Sequence, residues 1–183
     1  MVVLIVIIVI LVVLAVFVMS TYNGLVQLRN KVRDQFSQID VQLKRRADLI
    51  PNLVETVKGY AKHESDTLES VIQARNSYAN AKTDDEKIKA SKDLTAGISK
   101  IFALAEAYPE LKANENFLNL QSQLKDVEDK ISYSRQFYND SVLLYNNKIE
   151  MFPSNIIASM FNFKKESFFE ANEADRENVK VKF

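Results

Sequence analysis

The chain has 183 residues, with 24 Lys and Arg against 24 Asp and Glu, so its formal net charge is zero, and it contains no cysteine. The zero net charge argues against an electrostatic nucleic-acid binder, and the lack of cysteine excludes a disulfide framework and a lipid-modified cysteine anchor. Three glycines and three prolines favour long helices over many short strands.

Residues 1–20 are predicted to be a transmembrane anchor. Between Val2 and Val18 every residue is Val, Leu, Ile, Ala or Phe, and a helix of about twenty such residues spans the hydrocarbon core of a bilayer. The run lacks the basic flank and the small-residue cleavage site of a secretory signal, so we expect an uncleaved anchor. The positive charges Arg29, Lys31 and Arg33 follow it, which favours an outside N-terminus and a cytoplasmic domain, with the opposite side as the alternative.

A long amphipathic helix is predicted over residues 21–62. Apolar residues recur every three or four positions from Leu25 to Ala61, which is the spacing of one helical face. Pro51 lies inside this stripe, and the stripe continues in phase after it, so we expect a kink there, with a turn as the alternative. The anchor and this stripe are expected to form one continuous helix.

Two helices are predicted next, over residues 65–81 and 84–107. Ser65 is expected to cap the first of them. Thr83 and Glu86 have the spacing of a capping box at the start of the second. Tyr108-Pro109 is expected to end that helix, and residues 112–116 to form the connection. The inward side chains of the first are expected to be Leu68, Val71, Ile72, Tyr78 and Ala79.

The last long helix, over residues 116–150, carries an apolar and aromatic seam of period 3.5. Four antiparallel helices with short loops predict an all-α, up-down-up-down bundle over residues 21–150, which continues directly from the transmembrane helix. An even number of helices returns the chain to its starting end. The short amphipathic segment 152–170, capped by Ser154, is therefore expected close to the bilayer, and residues 171–183 are expected to be a flexible tail.

Candidate interaction residues follow from this seam and this segment. Two Tyr-Asn pairs lie one heptad apart; core packing explains the tyrosines best, while the asparagines either fix helix register or bind a neighbouring chain. The lysines of the segment are expected to meet anionic lipid headgroups. The candidates are Tyr138, Asn139, Tyr145, Asn146, Phe152, Ile156, Ile157, Phe161, Lys164 and Lys165.

No catalytic, cofactor-binding or metal-binding residues are predicted. His63 is the single histidine and lacks the second histidine, four residues on, of a zinc-protease helix. The basic run 44–46 is expected to pair with carboxylates on adjacent helices, with Asp40 and Glu128 as candidates, rather than with lipid or a partner. An enzyme that uses His63 is the least supported interpretation.

Several stretches, in order along the chain, resemble the LemA family of bacterial single-pass membrane proteins. They are residues 22–23, 28–30, 39–54, 59–60, 63–64, 105–114, 116–117, 138–139, 145–146 and 152–155. The resemblance implies an N-terminal anchor in the bacterial inner membrane, an antiparallel helical domain and an activity that is poorly defined across the family. It supplies no catalytic residues. It also implies relatives in magnetosome membranes and relatives encoded beside membrane metalloproteases.

The sequence therefore predicts a membrane-anchored helical scaffold that is not an enzyme. We expect it to contact the lipid bilayer and to act as a homo-oligomer, or through an integral-membrane partner such as a membrane protease. The alternative is a protein that remodels or curves the membrane.

Overall fold

The computed structural model describes residues 1–61 and 63–170, and the predicted tail 171–183 lies outside them. The described residues are helical without strands, which confirms the all-α prediction. The helices are α1 (Val2–Lys58), α2 (Ser65–Asn80), α3 (Asp84–Ala105), α4 (Pro109–Lys112), α5 (Glu115–Glu150) and α6 (Ser154–Met160).

Helix α1 is continuous from the apolar run into the amphipathic stripe, as expected. Pro51 lies inside it and does not end it. The whole apolar window near its N-terminus is exposed, whereas burial begins at Thr21 and Leu25. The predicted stripe supplies the core beyond this point, because Ile39, Leu43 and Val57 are almost completely buried.

The chain divides into two compact units that share α1 and α5. The bundle unit comprises Gln38–Arg135 and the described residues after Phe168; the anchor unit comprises Met1–Ser37 and Gln136–Phe168.

The bundle unit has the predicted up-down-up-down order, which its cross-helix contacts establish. The Tyr78 hydroxyl, near the end of α2, donates to Asp40 Oδ1 at 2.8 Å, so α2 runs antiparallel to α1. Lys87, in the first turn of α3, reaches the same carboxylate at 2.7 Å. Asn114, just before α5, donates from Nδ2 to the Tyr60 hydroxyl at 3.0 Å, so α5 starts beside the other end of α1.

The start of α3 agrees with the prediction from the sequence. The Thr83 hydroxyl accepts from the Glu86 N–H at 3.2 Å, and the Glu86 carboxylate accepts from the Thr83 N–H at 3.2 Å, which completes the expected capping box. The Lys82 N–H, which donates to the Glu86 carboxylate at 2.7 Å, and the Thr83 N–H together hold the pKa of Glu86 below its usual range.

Two predicted N-caps and the predicted role of Pro109 are wrong. Ser65 is the first helical residue of α2, and Glu64 takes the cap position without a side-chain hydrogen bond. Ser154 likewise begins α6 after Pro153. Pro109 does not simply end α3: α3 stops at Ala105, and Pro109, whose missing N–H is not needed in a first turn, starts α4. This helix overlaps the predicted connection 112–116 only at Lys112.

Two side chains of α2 face the other way from the prediction. Ile72 is 42% exposed and Ala79 is exposed, whereas Ala74 is buried between Val71 and Tyr78. Positions 71, 74 and 78 follow the helical spacing of three and four, so the inward face excludes the neighbours of Val71 and Tyr78.

Candidate interaction site in the anchor unit

The anchor unit places the segment that follows α6 beside the end of the apolar run. Tyr22 lies three residues beyond Met19 on α1, and its ring centroid is 4.8 Å from that of Phe161 and 5.7 Å from that of Phe163. The Arg29 guanidinium lies 5.1 Å from the Phe163 ring centroid in a cation–π arrangement. The segment after α6 therefore packs against the first turns of α1 beyond the apolar run.

Two residues of α5, Tyr138 in the predicted seam and Asn146 beside it, bind this segment through hydrogen bonds. Asn146 donates from Nδ2 to the Glu166 carbonyl at 2.9 Å and accepts at Oδ1 from the Glu166 N–H at 3.0 Å. One buried side chain thus satisfies both backbone groups of a residue that lies in no helix. The Tyr138 hydroxyl donates to the Ser167 carbonyl at 2.8 Å.

The seam is therefore interior, in agreement with the core-packing interpretation of its tyrosines. Tyr138 packs edge to face on Phe36 with 5.7 Å between ring centroids, and Tyr145 is 1% exposed. Burial, reinforced by the nearby Glu166 carboxylate, raises the pKa of Tyr145. With Asn146 buried and Asn139 half-buried, these residues offer little surface to a neighbouring chain.

The remaining candidates divide by exposure. Phe152 is 80% exposed, Ile156 53% and Phe161 47%, whereas Ile157 is buried and belongs to the core of the unit. Lys164 and Lys165 are exposed, and Lys165 forms an ion pair with Glu150. The expectation that Ile157 contributes to an interaction surface is wrong, because it faces inward from α6.

An exposed apolar stripe lies on a second face of α5, about 100° around the helix axis from the seam. Phe137 is 60% exposed, Leu144 51% and Met151, directly after the helix, 63%. The Met151 N–H still donates to the Asn147 carbonyl at 2.9 Å, so helical geometry extends to it. We call these three residues the outer stripe. Their seven-residue spacing was visible in the sequence, but the more regular seam drew the interaction prediction to the buried face.

The charges in the bundle unit form structural pairs. Arg46 is 2% exposed; its Nη1 donates to Glu128 Oε2 at 2.6 Å and to the Thr95 hydroxyl at 2.8 Å. Its Nη2 donates to the Ser91 carbonyl at 2.9 Å. Burial lowers the pKa of Arg46, and the Glu128 carboxylate acts in the opposite direction.

The predicted pairing of the basic run is thus correct for Glu128 and wrong for Asp40. Asp40 instead pairs with Lys87 and accepts from the Tyr78 hydroxyl. Burial and this acceptor raise the pKa of Tyr78, so the phenol is neutral at physiological pH. Arg46 and Asp40 are thus each paired with an oppositely charged side chain on another helix.

Catalytic geometry is not evident around His63. The residue is exposed in the turn between α1 and α2. Within residues 1–61 and 63–170, no group of three or more His, Cys, Asp or Glu side chains is placed to hold a metal ion. A cleft of about 390 Å³ opens between α3 and α5 and is lined in part by Arg46 and Glu128, which already bind each other.

Comparison with known proteins identifies relatives of this chain by sequence. Protein LemA of Metamycoplasma hominis is 28% identical over 160 residues, which cover 86% of this chain and 72% of the relative. Magnetosome protein MamQ of Magnetospirillum gryphiswaldense is 22% identical over 178 residues, covering 83% of this chain and 65% of the relative, so the chain spans less than two thirds of that protein. Magnetosome protein MamQ 2 of Paramagnetospirillum magneticum is 22% identical over 183 residues, covering 86% and 67%.

The model of the LemA family matches residues 35–183. That match begins after the apolar run. The run belongs to α1, which is the one helix among the described residues that is long and apolar enough to cross a membrane. The matched region includes the whole bundle unit, α5, α6 and the segment that Asn146 holds. This membrane-associated protein therefore belongs to the LemA family.

Proposed function

We propose that this protein is a membrane-anchored helical scaffold without catalytic activity, and that it acts by self-association at the membrane surface. The observation that carries the proposal is the outer stripe. It presents Phe137, Leu144 and Met151 to solvent, each at least half exposed and each seven residues from the next. Apolar residues seven apart lie along one side of a helix and so form a row against which a second helix can pack.

A second copy of this chain fits the outer stripe for a geometric reason. Copies inserted in one membrane in the same orientation present α5 in the same direction, so two stripes meet in parallel and in register. Membrane confinement also raises the effective concentration of one stripe for another. An integral-membrane partner, such as a membrane protease, is the other occupant that the proposal allows.

The size of the stripe indicates a reversible contact. Complete burial of one such side chain contributes about 1.5–3 kcal/mol, and these side chains are half exposed, so each contributes roughly 1 kcal/mol. Six of them in a pair give about 6 kcal/mol before the cost of association, which is about 4–15 kcal/mol for free partners. Joint anchoring reduces that cost, and self-association should depend on it.

We further propose that the chain resides in the bacterial inner membrane with its helical domain in the cytoplasm. The basic residues Arg29, Lys31 and Arg33, which begin ten residues after Met19, support this side. Labelling from outside intact cells of a single cysteine introduced at the exposed Ser65 tests it. Protection from an impermeant reagent is expected, and ready labelling would contradict it.

Membrane remodelling is the second candidate function. The exposed apolar residues around α6 favour it, because shallow wedges in one leaflet promote curvature. Relatives named magnetosome proteins support the same idea. Adding the full chain to vesicles and measuring their diameter tests it, and unchanged vesicles would dispose of it.

Disulfide trapping in native membranes tests self-association, since the chain contains no cysteine. Leu144→Cys places a thiol in the outer stripe, and Leu143→Cys places one at the adjacent position, which is 49% exposed against 51% but faces about 100° away. We expect mild oxidation to convert L144C to a dimer and to leave L143C mostly monomeric. Equal behaviour of the two variants would contradict a pairing through the stripe.

A further inference from the structure

A second exposed apolar group, which we call the apolar tip, comprises Phe152, Ile156, Met160 and Phe161. Their exposed fractions are 80%, 53%, 65% and 47%. Clusters of this kind on a folded surface mark sites of binding to protein or membrane. The outer stripe does not account for them, because they lie beyond α5, on and around α6.

The apolar tip is held in a defined orientation. The Ser154 hydroxyl donates toward the carbonyls of Lys148 and Met151, at 2.7 and 2.8 Å. Ile157 and Ala158 are buried, so Ile156 and Met160, four residues apart on α6, share the outward face. Because the turn is already ordered, contact with a ligand surface carries little additional entropic cost.

The apolar tip lies beside α1, and this position indicates which ligand it contacts. The Phe161 ring lies 4.8 Å from the Tyr22 ring, and Tyr22 is about 4–5 Å along the helix axis from Met19, the last residue of the apolar run. Tyrosines at this place beside a transmembrane segment lie at the headgroup level of the bilayer. The apolar tip thus adjoins the depth at which lipid headgroups meet acyl chains.

Charge favours apolar insertion over electrostatic adsorption. Of the two lysines after α6, Lys165 is engaged by Glu150, and Glu166 follows directly. The basic excess that draws a surface helix to anionic lipid is therefore small here.

We propose that the apolar tip inserts into the interface of the same bilayer that holds the anchor, as a second and non-spanning membrane contact. The inference rests on the membrane anchoring of the proposed function and is independent of self-association. It attaches the anchor unit to the membrane at two points, α1 and α6, and so holds α5 and its outer stripe at a fixed orientation to the bilayer. Its ligand is the lipid interface, with little preference for anionic headgroups.

The chain contains no tryptophan, so single substitutions provide a specific optical probe. Phe152→Trp and Met160→Trp place an indole in the apolar tip. Gln136→Trp is the control, an exposed position of the anchor unit on α5 roughly 20 Å along the helix axis from Glu150. The full chain is reconstituted in phosphatidylcholine vesicles, with and without phosphatidylglycerol, and quenched by lipids brominated near the top of the acyl chains.

We expect F152W and M160W to be quenched at least threefold more strongly than Q136W, in both lipid compositions. Equal quenching of all three variants, weak or strong, would overturn the inference. Strong quenching only with phosphatidylglycerol would overturn the apolar mode of binding. Circular dichroism of each variant verifies its helical content, and the two tip variants check each other. Trapping of L144C reports self-association separately, so either proposal can fail alone.

Discussion

Substitution of each member of the Arg46–Glu128 pair should show which of the two contributes more to the free energy of unfolding. The Arg46 side chain is 3% exposed and the Glu128 side chain 44%. Glu128→Leu leaves a buried guanidinium without its carboxylate, whereas Arg46→Met leaves a carboxylate that water can reach. The Ser91 carbonyl keeps a partner in the second case, because the Thr95 hydroxyl also donates to it at 3.0 Å.

The expected magnitudes follow from these exposures. Removal of one partner of a fully buried pair costs about 3–5 kcal/mol. Because water reaches Glu128, we expect E128L to lower the free energy of unfolding by about 2 kcal/mol and R46M by about 1 kcal/mol. The double variant R46M/E128L removes both charges and should be more stable than E128L alone by about 1 kcal/mol.

Urea unfolding of the full chain in a mild non-ionic detergent, followed by far-ultraviolet circular dichroism, measures all four proteins. Unchanged slopes with urea concentration establish that the variants unfold the same structure. A double variant whose loss equals the sum of the two single losses would show that the pair is not coupled. A larger loss of unfolding free energy in R46M than in E128L would refute the argument from exposure.

Three further substitutions test other contacts. Thr83→Ala removes the capping oxygen of α3 and should cost about 1 kcal/mol in the same unfolding assay. Gly97→Ala places a methyl group 2.9 Å from Cγ2 of buried Val71; the net loss should be about 1 kcal/mol and should diminish with V71A. Asn146→Leu should accelerate amide hydrogen exchange at Glu166 about tenfold or more, because it removes two hydrogen bonds. Unchanged exchange at Glu166 would contradict the role of Asn146 in holding the segment after α6.

Periodicity and capping chemistry predicted the architecture well. The stripe of α1 is buried as expected, and the Thr83 capping box forms because both partners are local in sequence. The same reasoning found the Glu128 partner of Arg46, since both face the core of one bundle. It failed for Asp40, because Lys87 and Tyr78 lie closer and no local signal ranks carboxylates that compete across helices.

The interaction surface was harder to predict. The aromatic and amide seam of α5 resembled an association surface, but Asn146 and Tyr138 bind the backbone of residues 166–167, which follow α6 and have no partner visible in the sequence. Once that segment covers the seam, the exposed apolar residues of the outer stripe lie on the adjacent face of α5. A long-range contact to backbone atoms thus decided which face of the helix is exposed.

The most direct test of the scaffold is the mass of the chain extracted from native membranes in polymer-bound lipid discs, without detergent. The chain has a mass of 20.9 kDa. We predict a discrete assembly at a multiple of that value, which Leu144→Asp converts to monomers and Leu143→Asp leaves intact. A wild-type chain that is monomeric in the discs, with no second protein bound, would contradict the account.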